Sequence, residues 1–234
     1  MKKGIIALIV IVFIVAGGLL YLKYSGKLEK IKLPIFSSYI KLPQPKHDSQ
    51  TSIEKALLER RSVRNYKDEP LTVGDVSQLL WAAQGITNSK DYRTAPSAGA
   101  TYPLEIYLVA GNVIDLPVGV YKYFPSGHKL SKISSKDVRA DLMIAAAGQE
   151  PVQMGAIDIV IAAVYERTTA KYGADGTKYA DMEVGHAAQN VYLQAISLGL
   201  GTVVVGAIDG KTVKSIIGMK EDETPLYLMP VGKK

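Results

Sequence analysis

The 234-residue chain contains no cysteine, and it has only three histidines, three phenylalanines and one tryptophan. Without cysteine there can be no disulfide, no thiolate nucleophile and no cysteine-ligated metal. The histidines at 47, 128 and 186 lie far apart with no paired spacing, so we predict no metal centre. Any redox chemistry would therefore depend on a bound cofactor.

Most of the chain also lacks an excess of positive charge. The formal net charge of +6 arises in residues 1–46, which hold eight lysines and one acid, Glu29. The rest of the chain has 20 basic and 21 acidic side chains. A nucleic-acid-binding domain carries its positive charge on the folded surface, so we predict no nucleic-acid partner.

Residues 1–22 contain the one long hydrophobic run. Its nineteen residues from Gly4 to Leu22 are uncharged, and at 1.5 Å per residue they approach the roughly 30 Å thickness of the bilayer core. A cleaved signal peptide is the alternative, although bulky rather than small residues follow the run. We predict an uncleaved single-pass membrane anchor; lysines flank both ends, so the side of the membrane that holds the domain is undefined.

Residues 23–50 are predicted to form an extended linker between the anchor and a domain at 51–234. Pro34, Pro43 and Pro45, together with several serines and lysines, favour an extended, partly polyproline-like chain.

The domain mixes helical and strand patterns without a strict βαβ repeat. Capping-box patterns at Thr51 and Thr72 predict helices that end near Arg61 and Gly85. Two more helices are predicted, from Ser135 to about Ala147 and over residues 179–198. Strands are predicted at 105–110, 118–124, 130–133, 157–164, 202–208 and 226–231. This mixture predicts an α+β fold, and the absence of a G-x-G-x-x-G motif after a first strand argues against a Rossmann domain.

A basic segment follows the first predicted helix. Arg60, Arg61, Ser62 and Arg64 combine guanidinium groups with a hydroxyl. Guanidinium groups bind phosphate oxygens through paired, charge-assisted hydrogen bonds, so the segment is a candidate phosphate site. A solvated basic helix end is the alternative.

Three further segments are candidates for a ligand site. Ala95–Pro103 is a loop of small residues just before a strand, which lets backbone groups approach a flat ligand. Gly199–Ala207 is a glycine-framed strand, and Lys233–Lys234 is a basic end directly after the last strand.

Together these segments resemble the nitroreductase-like flavoprotein family, and most closely its SagB-type dehydrogenase (azoline oxidase) branch. The resemblance covers about residues 42–231 and rests on motifs that occur in the family's order: Leu42-Pro-x-Pro45, Arg60-Arg-Ser-Val-Arg64, Pro96-Ser-Ala-Gly-Ala100, Glu183-x-Gly-His-x-x-Gln-Asn190 and Gly199-Leu-Gly-Thr202. It implies an α+β fold with a central mixed or antiparallel sheet flanked by helices. It also implies an FMN-binding homodimer with the flavin at the subunit interface.

The resemblance assigns expected roles to individual residues. The basic segment, Arg60 to Arg64, would hold the phosphate and ribityl chain of FMN. The loop residues would reach flavin across the interface: Pro96, Ser97, Ala98 and Gly99. Val205 and Gly206 would face the pyrimidine edge and N5 of the flavin, and Lys233 would be a further phosphate contact.

Lys171 and Tyr172 match a Lys-Tyr pair that serves as a base in azoline-oxidising relatives. A buried lysine with a nearby phenol is a suitable proton acceptor. The alternative is a solvated lysine and a packed tyrosine. Glu183 is either a ligand contact or an ordinary exposed helix acid, and His186 is either a catalytic residue or a helix residue satisfied by its neighbours.

The resemblance implies an FMN-dependent oxidoreductase that transfers hydride between NAD(P)H, or an organic substrate, and an acceptor. The substrate would be a small molecule or a modified peptide. A non-catalytic, membrane-tethered flavin-binding or scaffold subunit is the alternative, motivated by the predicted anchor. A flavin-consuming enzyme is a third hypothesis.

Overall fold

The computed structural model describes residues 39–234. The predicted anchor at residues 1–22 and the first part of the predicted linker lie outside the described residues, so both stay predictions. Within 39–234, every helix is too short or too polar to cross a bilayer.

A seven-stranded antiparallel sheet forms the centre of the described domain. Its strands are β1 (Tyr39–Lys41), β3 (Leu104–Ala110), β5 (Gly119–Phe124), β6 (Lys129–Ser134), β7 (Ile157–Ala163), β8 (Leu200–Thr202) and β9 (Thr224–Lys233). Their order across the sheet is β1-β6-β5-β3-β7-β9-β8, and each pairing is antiparallel. Two short strands, β2 (Leu71–Thr72) and β4 (Val113–Ile114), pair in parallel beside it.

Residues 39–234 contain seven α-helices. They are α1 (Ile53–Glu59), α2 (Val73–Gln84), α3 (Arg139–Ala145), α4 (Pro151–Met154), α5 (Glu166–Tyr172), α6 (Asp175–Ser197) and α7 (Gly210–Ile217). Helices α2 and α6 pack into the core on one face of the sheet, and α3 and α7 pack into a second core on the other face. The predicted α+β class with helices flanking an antiparallel sheet is therefore confirmed.

The central strands are hydrophobic because both of their faces are covered. Every residue of β7 is buried, which explains its near-continuous apolar run. Alternate residues of β7 contribute to the two cores: Ile157, Ile159 and Ile161 to one and Val160 to the other.

Local signals located several elements correctly. The Thr72 hydroxyl accepts a hydrogen bond from the backbone N–H of Asp75 at 3.1 Å, and the Asp75 carboxylate accepts one from the N–H of Thr72 at 2.9 Å. Helix α2 ends at Gln84 and is followed by Gly85 as its C-cap, as predicted. The turn at Ser126–Gly127 connects β5 to β6, also as predicted.

Two predicted helix starts were wrong. Helix α1 is capped by Ser52, not Thr51, and its apolar residues Leu57 and Leu58 are exposed because no other described element covers them. Helix α3 begins at Arg139 rather than after Ser135, because β6 extends to Ser134 and the Asp137 carboxylate accepts a hydrogen bond from the Arg139 N–H.

Two extended segments also differ from the prediction. The strand predicted at 202–208 leaves the sheet after Thr202, because Val203 and Val205 pack into the second core; only a bridge between Val205 and Leu228 remains. The described end of the predicted linker is part of the domain instead. Strand β1 pairs with β6, and Leu42, which follows it, is only 2% exposed.

The buried carboxyl group of Asp158 on β7 yields a stability prediction. Neither oxygen has a hydrogen-bond partner among the described residues. Loss of hydration raises its pKa well above the usual value, although the Arg139 charge opposes this shift. Because the folded state keeps a proton that the unfolded state releases above a pKa of about 3.9, stability should fall by up to about 1.4 kcal/mol per pH unit from there to the folded pKa.

Asp158→Asn should remove that loss, so the variant gains stability relative to the original chain as pH rises. Urea unfolding from pH 5 to pH 9 measures the difference. A difference that does not change with pH would contradict a protonated Asp158.

Candidate active site

The basic segment is fixed to the edge of the sheet by backbone hydrogen bonds. The N–H of Val63 donates to the Thr202 carbonyl at 2.9 Å, and the N–H of Lys67 donates to the Lys233 carbonyl at 2.9 Å. The side chain of Val63 lies so close to Gly201 that a Cβ there would be only 2.6 Å from it. A glycine is therefore needed on β8 for the segment to reach the sheet.

Tyr192 of α6 connects the basic segment to the chain that follows β8. The Arg60 guanidinium lies 5.1 Å from the centre of the Tyr192 ring, and the Ser62 and Tyr192 hydroxyl oxygens are 3.2 Å apart. The backbone N–H of Val204 donates to the same tyrosine hydroxyl at 2.8 Å. Tyr192 thus connects two of the predicted phosphate residues, Arg60 and Ser62, to the segment that leads into Val205 and Gly206.

The cations of this segment differ in their surroundings. Arg60 and Arg64 form no ion pair with a described acid. Arg61 turns back and donates from Nη1 to the carbonyls of Leu58 and Arg60, at 3.0 and 2.7 Å. Two guanidinium groups without an acid partner, on the same short segment as the Ser62 hydroxyl, suit a phosphate.

The other predicted cofactor contacts near this segment differ in how free they are to bind a ligand. Gly206 is exposed, and its N–H makes no hydrogen bond inside residues 39–234, so it can donate to a ligand. Val205 is buried and pairs with Leu228. The Lys233 ammonium lies 3.8 Å from the Asp75 carboxylate, so one acid already neutralises part of its charge.

A second cluster joins the small-residue loop to the predicted Lys-Tyr pair. The Lys171 ammonium donates to the carbonyl of Gly99 at 3.2 Å. Gly99 has φ of 59°, and a Cβ there would lie 2.4 Å from the Tyr172 hydroxyl oxygen and 2.5 Å from Lys171 Nζ. Only glycine fits this position without displacing the pair.

The side chain of Lys171 is exposed in the single chain. The burial that would favour a proton-accepting lysine is therefore not supplied by the described residues of one chain. Tyr172 is half-buried and packs edge-on against Tyr179, with ring centres 5.2 Å apart.

A pocket of about 260 Å³ opens beside this cluster. Its lining comes from the loop and from α6: Pro96, Ser97, Ala98, Tyr179, Met182, Glu183 and His186. Glu183 is only 2% exposed, so it is not an ordinary exposed helix acid. Burial raises the pKa of its carboxyl group to about 7, against the lowering effects of hydrogen bonding with Ser97 and Gln84 and of the Arg93 charge.

A larger groove, of about 920 Å³, contains none of the predicted site residues. It lies between residues 46–53 and helices α2 and α6. The Gln78 side chain holds its edge by accepting from the Lys46 N–H at 2.8 Å and donating to the Lys46 carbonyl at 2.9 Å.

Comparison with known proteins decides the family. Residues 57–233 match the Nitroreductase family. The chain belongs to the nitroreductase family. This confirms the predicted resemblance and the predicted enzyme class, an FMN-dependent oxidoreductase.

Three relatives span different named activities. A protein of Methanocaldococcus jannaschii, provisionally named as a nitroreductase, is 49% identical over 185 residues, which are 79% of this chain and 92% of that protein. The microcin B17-processing protein McbC of Escherichia coli is 26% identical over 94% of this chain and 81% of its own. An FMN reductase [NAD(P)H] of Bacillus subtilis is 28% identical over 76% of this chain and 62% of its own.

A solved structure supports the same fold. The crystal structure of a protein from Ralstonia eutropha JMP134, provisionally titled a nitroreductase, has a TM-score of 0.74 and 29% identity. The match covers 92% of this chain and 98% of that one.

FMN is the cofactor that the family implies, and the described residues fit it. Arg60, Ser62 and Arg64 offer charged and neutral donors for a phosphate, and the free N–H of Gly206 offers a donor at the neighbouring chain segment. The sequence did not indicate Tyr192, and it left the role of Glu183 open. A tyrosine or a glutamate at a helix position does not show which distant segment will pack against it.

Gly99→Ala tests the close contact in the second cluster. The added methyl group should displace Lys171 and Tyr172 and lower turnover, while FMN content should fall less than in a variant of the basic segment because the predicted phosphate contacts are untouched. The flavin absorbance of the purified protein and its steady-state turnover are the two measurements.

Gly127→Ala is the control, because Gly127 also has a positive φ, of 80°, but a Cβ there would meet only the Lys129 side chain at 3.6 Å or more. Equal turnover in the two variants would contradict a specific role for the Gly99 contact.

Proposed function

We propose that the protein takes a hydride from NAD(P)H and passes it to a small organic acceptor through FMN. The observation that carries the proposal is that Arg60 and Arg64 pair with no described acid and share a short segment with Ser62. Tyr192 links Arg60 and Ser62 to Val204, two residues before Gly206. The name of the Bacillus subtilis relative, an FMN reductase acting with NAD(P)H, supports this donor.

When bound, FMN supplies a ring that accepts a hydride from one substrate and gives it to another. The residues of the chain contribute binding and electrostatics. Arg60 and Arg64 would donate charge-assisted hydrogen bonds to the phosphate, and Ser62 would donate a neutral one. The N–H of Gly206 would stabilise negative charge that develops on the flavin, without any special side chain.

The site is proposed to be completed by a second copy of the chain. Tyr192 and Glu183 mark the two clusters, and nine residues of α6 separate them by roughly 13 Å. A cofactor bound at the basic segment of one copy would then meet the Ser97–Gly99 loop of the other. Exposed apolar side chains support burial of the surface around α1 by a second copy. They are Leu57 and Leu58 of α1 and Ile53 at the edge of the larger groove.

A second candidate is oxidation of a heterocycle in a modified peptide, as in the SagB-type branch. The contact of Lys171 with Gly99 favours it, because this contact holds a potential proton acceptor beside the loop expected to reach flavin. Similarity to McbC, a microcin-processing protein, over 94% of the chain supports it as well.

An anaerobic titration distinguishes these candidates. Addition of NADPH or NADH to the FMN-loaded protein should bleach the flavin absorbance, and a nitroaromatic or quinone acceptor should restore it. If neither nicotinamide bleaches the flavin and azoline peptides do, the second candidate is correct. A protein that binds flavin but reacts with neither nicotinamides nor azoline peptides would contradict both candidates.

Arg60→Ala with Arg64→Ala should abolish FMN retention, because two charge-assisted contacts of about 1.5–3 kcal/mol each are lost. Flavin absorbance per protein after gel filtration is the measurement. Lys90→Ala with Lys136→Ala removes the same charge from exposed positions outside the site and should leave the flavin bound. A fully yellow arginine double variant would show that the phosphate is held elsewhere.

Lys171→Ala should leave FMN content unchanged and slow the step that needs a proton acceptor by about a hundredfold or more. Single-turnover rates with an azoline peptide across a pH series measure that step. Lys178→Ala, at an exposed position early in α6, is the matched control. Rates and pH profiles that are identical in the Lys171 and Lys178 variants would exclude the base.

A further inference from the structure

The loop at residues 97–102 has a strained backbone. Gly99, Ala100 and Tyr102 have positive φ angles of 59°, 54° and 46°. For alanine and tyrosine this left-handed conformation brings Cβ close to the backbone and costs free energy. Such a conformation persists only where surrounding contacts hold it, and in proteins it is concentrated at functional sites. The contacts that hold this loop are therefore candidates for a role in the reaction.

Helix α5 supplies side chains that hold the loop at several points. Arg167 donates from Nη1 to the Tyr102 carbonyl at 3.0 Å, and Lys171 donates to the Gly99 carbonyl at 3.2 Å. Both of these side chains are exposed in the single chain, so water competes for their contacts. Thr168, which lies between them on the helix, is only 1% exposed. Its contact with the loop is therefore the one that solvent does not weaken.

The Thr168 hydroxyl is the first donor in a chain of hydrogen bonds that ends on the loop backbone. The hydroxyl oxygens of Thr168 and Thr101 are 2.9 Å apart. The Thr101 hydroxyl has one hydrogen and donates it to the Ala98 carbonyl at 3.0 Å, so Thr168 must donate to Thr101. Hydrogen bonds in series polarise and strengthen each other, so loss of the first should also weaken the second.

Helix α5 is itself held in place, so its hydroxyl can set the position of the loop. A Cβ at Gly176 of α6 would lie only 2.6 Å from the backbone N of Thr169, which shows how closely the two helices approach. Shortly before α5, the N–H of Val164 donates to the Pro103 carbonyl at 2.9 Å, next to the start of β3. Groups carried by such fixed elements are positioned more precisely than groups on loops alone.

We propose that Thr168 is a positioning residue for hydride transfer. Acting through Thr101, its hydroxyl holds the Ala98 carbonyl and the positive-φ residues beside it in the conformation in which the loop would meet the flavin of the other copy. The inference rests on the proposed function, because the loop affects the reaction only if it lies against the flavin.

Three variants of α5 separate the hydroxyl from the rest of the side chain. Thr168→Val keeps the size of the side chain and removes its hydroxyl. Thr168→Ser keeps the hydroxyl and removes a methyl group, so it should behave as the unchanged chain does. Thr169→Val makes the same change of hydroxyl to methyl at the next position of α5, which is half-buried and outside the chain of hydrogen bonds.

Hydrogen–deuterium exchange of the apoprotein reports on the loop without flavin or activity. Three backbone N–H groups of the loop donate hydrogen bonds within it: Ala100, Thr101 and Tyr102. Thr168→Val should speed their exchange about tenfold, because the loop opens more often once its anchor is lost. Thr168→Ser and Thr169→Val should exchange as the unchanged chain does.

Stopped-flow reduction measures the effect on the reaction. At saturating NADPH or NADH, the rate of flavin bleaching per bound FMN should fall about tenfold in Thr168→Val, because the loop is misplaced, and should recover in Thr168→Ser. A merely structural role would lower the melting temperature or the FMN content, but not the rate per bound flavin. Both quantities are measured on the same samples.

Thr101→Val breaks the same contact from the loop side, which keeps the test valid if Thr168→Val disturbs the packing of α5. Thr101 has a φ of −79°, which a valine adopts without strain. Because the two hydroxyls act through one contact, the double variant should exchange no faster than Thr101→Val alone.

Loop exchange that is unchanged in Thr168→Val, or that rises equally in Thr169→Val, would overturn the proposal. Additive effects of the two valine substitutions at 101 and 168 would overturn it too, as would faster exchange with an unchanged rate per bound flavin. An unchanged chain that neither nicotinamide reduces would contradict the proposed function instead. Loop exchange that rises only in Thr168→Val would then still support the hydroxyl contact.

Discussion

The hydrogen bond from the Val63 N–H to the Thr202 carbonyl is the contact on which the site depends. It fixes the basic segment to the edge strand β8, so that Arg60 and Ser62 reach Tyr192. Without this attachment the two arginines would be a solvated helix end, whose ion contacts are weak. Fixed to a sheet edge, they become a preorganised pair of donors, and preorganisation is what makes charged contacts effective for binding.

Helix α6 connects the basic segment to the rest of the site. Its buried stripe packs on the sheet, and its other positions present Tyr192 to the basic segment and Glu183 to the small-residue loop. One rigid helix therefore sets the spacing between the cluster around Tyr192 and the pocket beside the small-residue loop. Sites built on such elements are positioned more precisely than sites built on loops alone.

The features that sequence predicted were those with local causes. The Thr72 cap and the Ser126–Gly127 turn depend on residues within four positions of each other. The near-continuous apolar run of β7 indicates that both faces of that strand are buried. Family motifs located the basic segment and the loop. The contact of Tyr192 with Ser62 spans 130 positions, and the burial of Glu183 depends on the loop above it. No periodicity in one sequence encodes such tertiary neighbours.

The central claim is that the basic segment binds the phosphate of FMN. The most direct measurement is the quenching of flavin fluorescence when apoprotein is titrated with FMN and, in parallel, with riboflavin, which has the same ring and ribityl chain but no phosphate. The account predicts that riboflavin binds at least about a hundredfold more weakly, and that added salt weakens FMN binding far more than riboflavin binding. Equal affinity for the two flavins would contradict it.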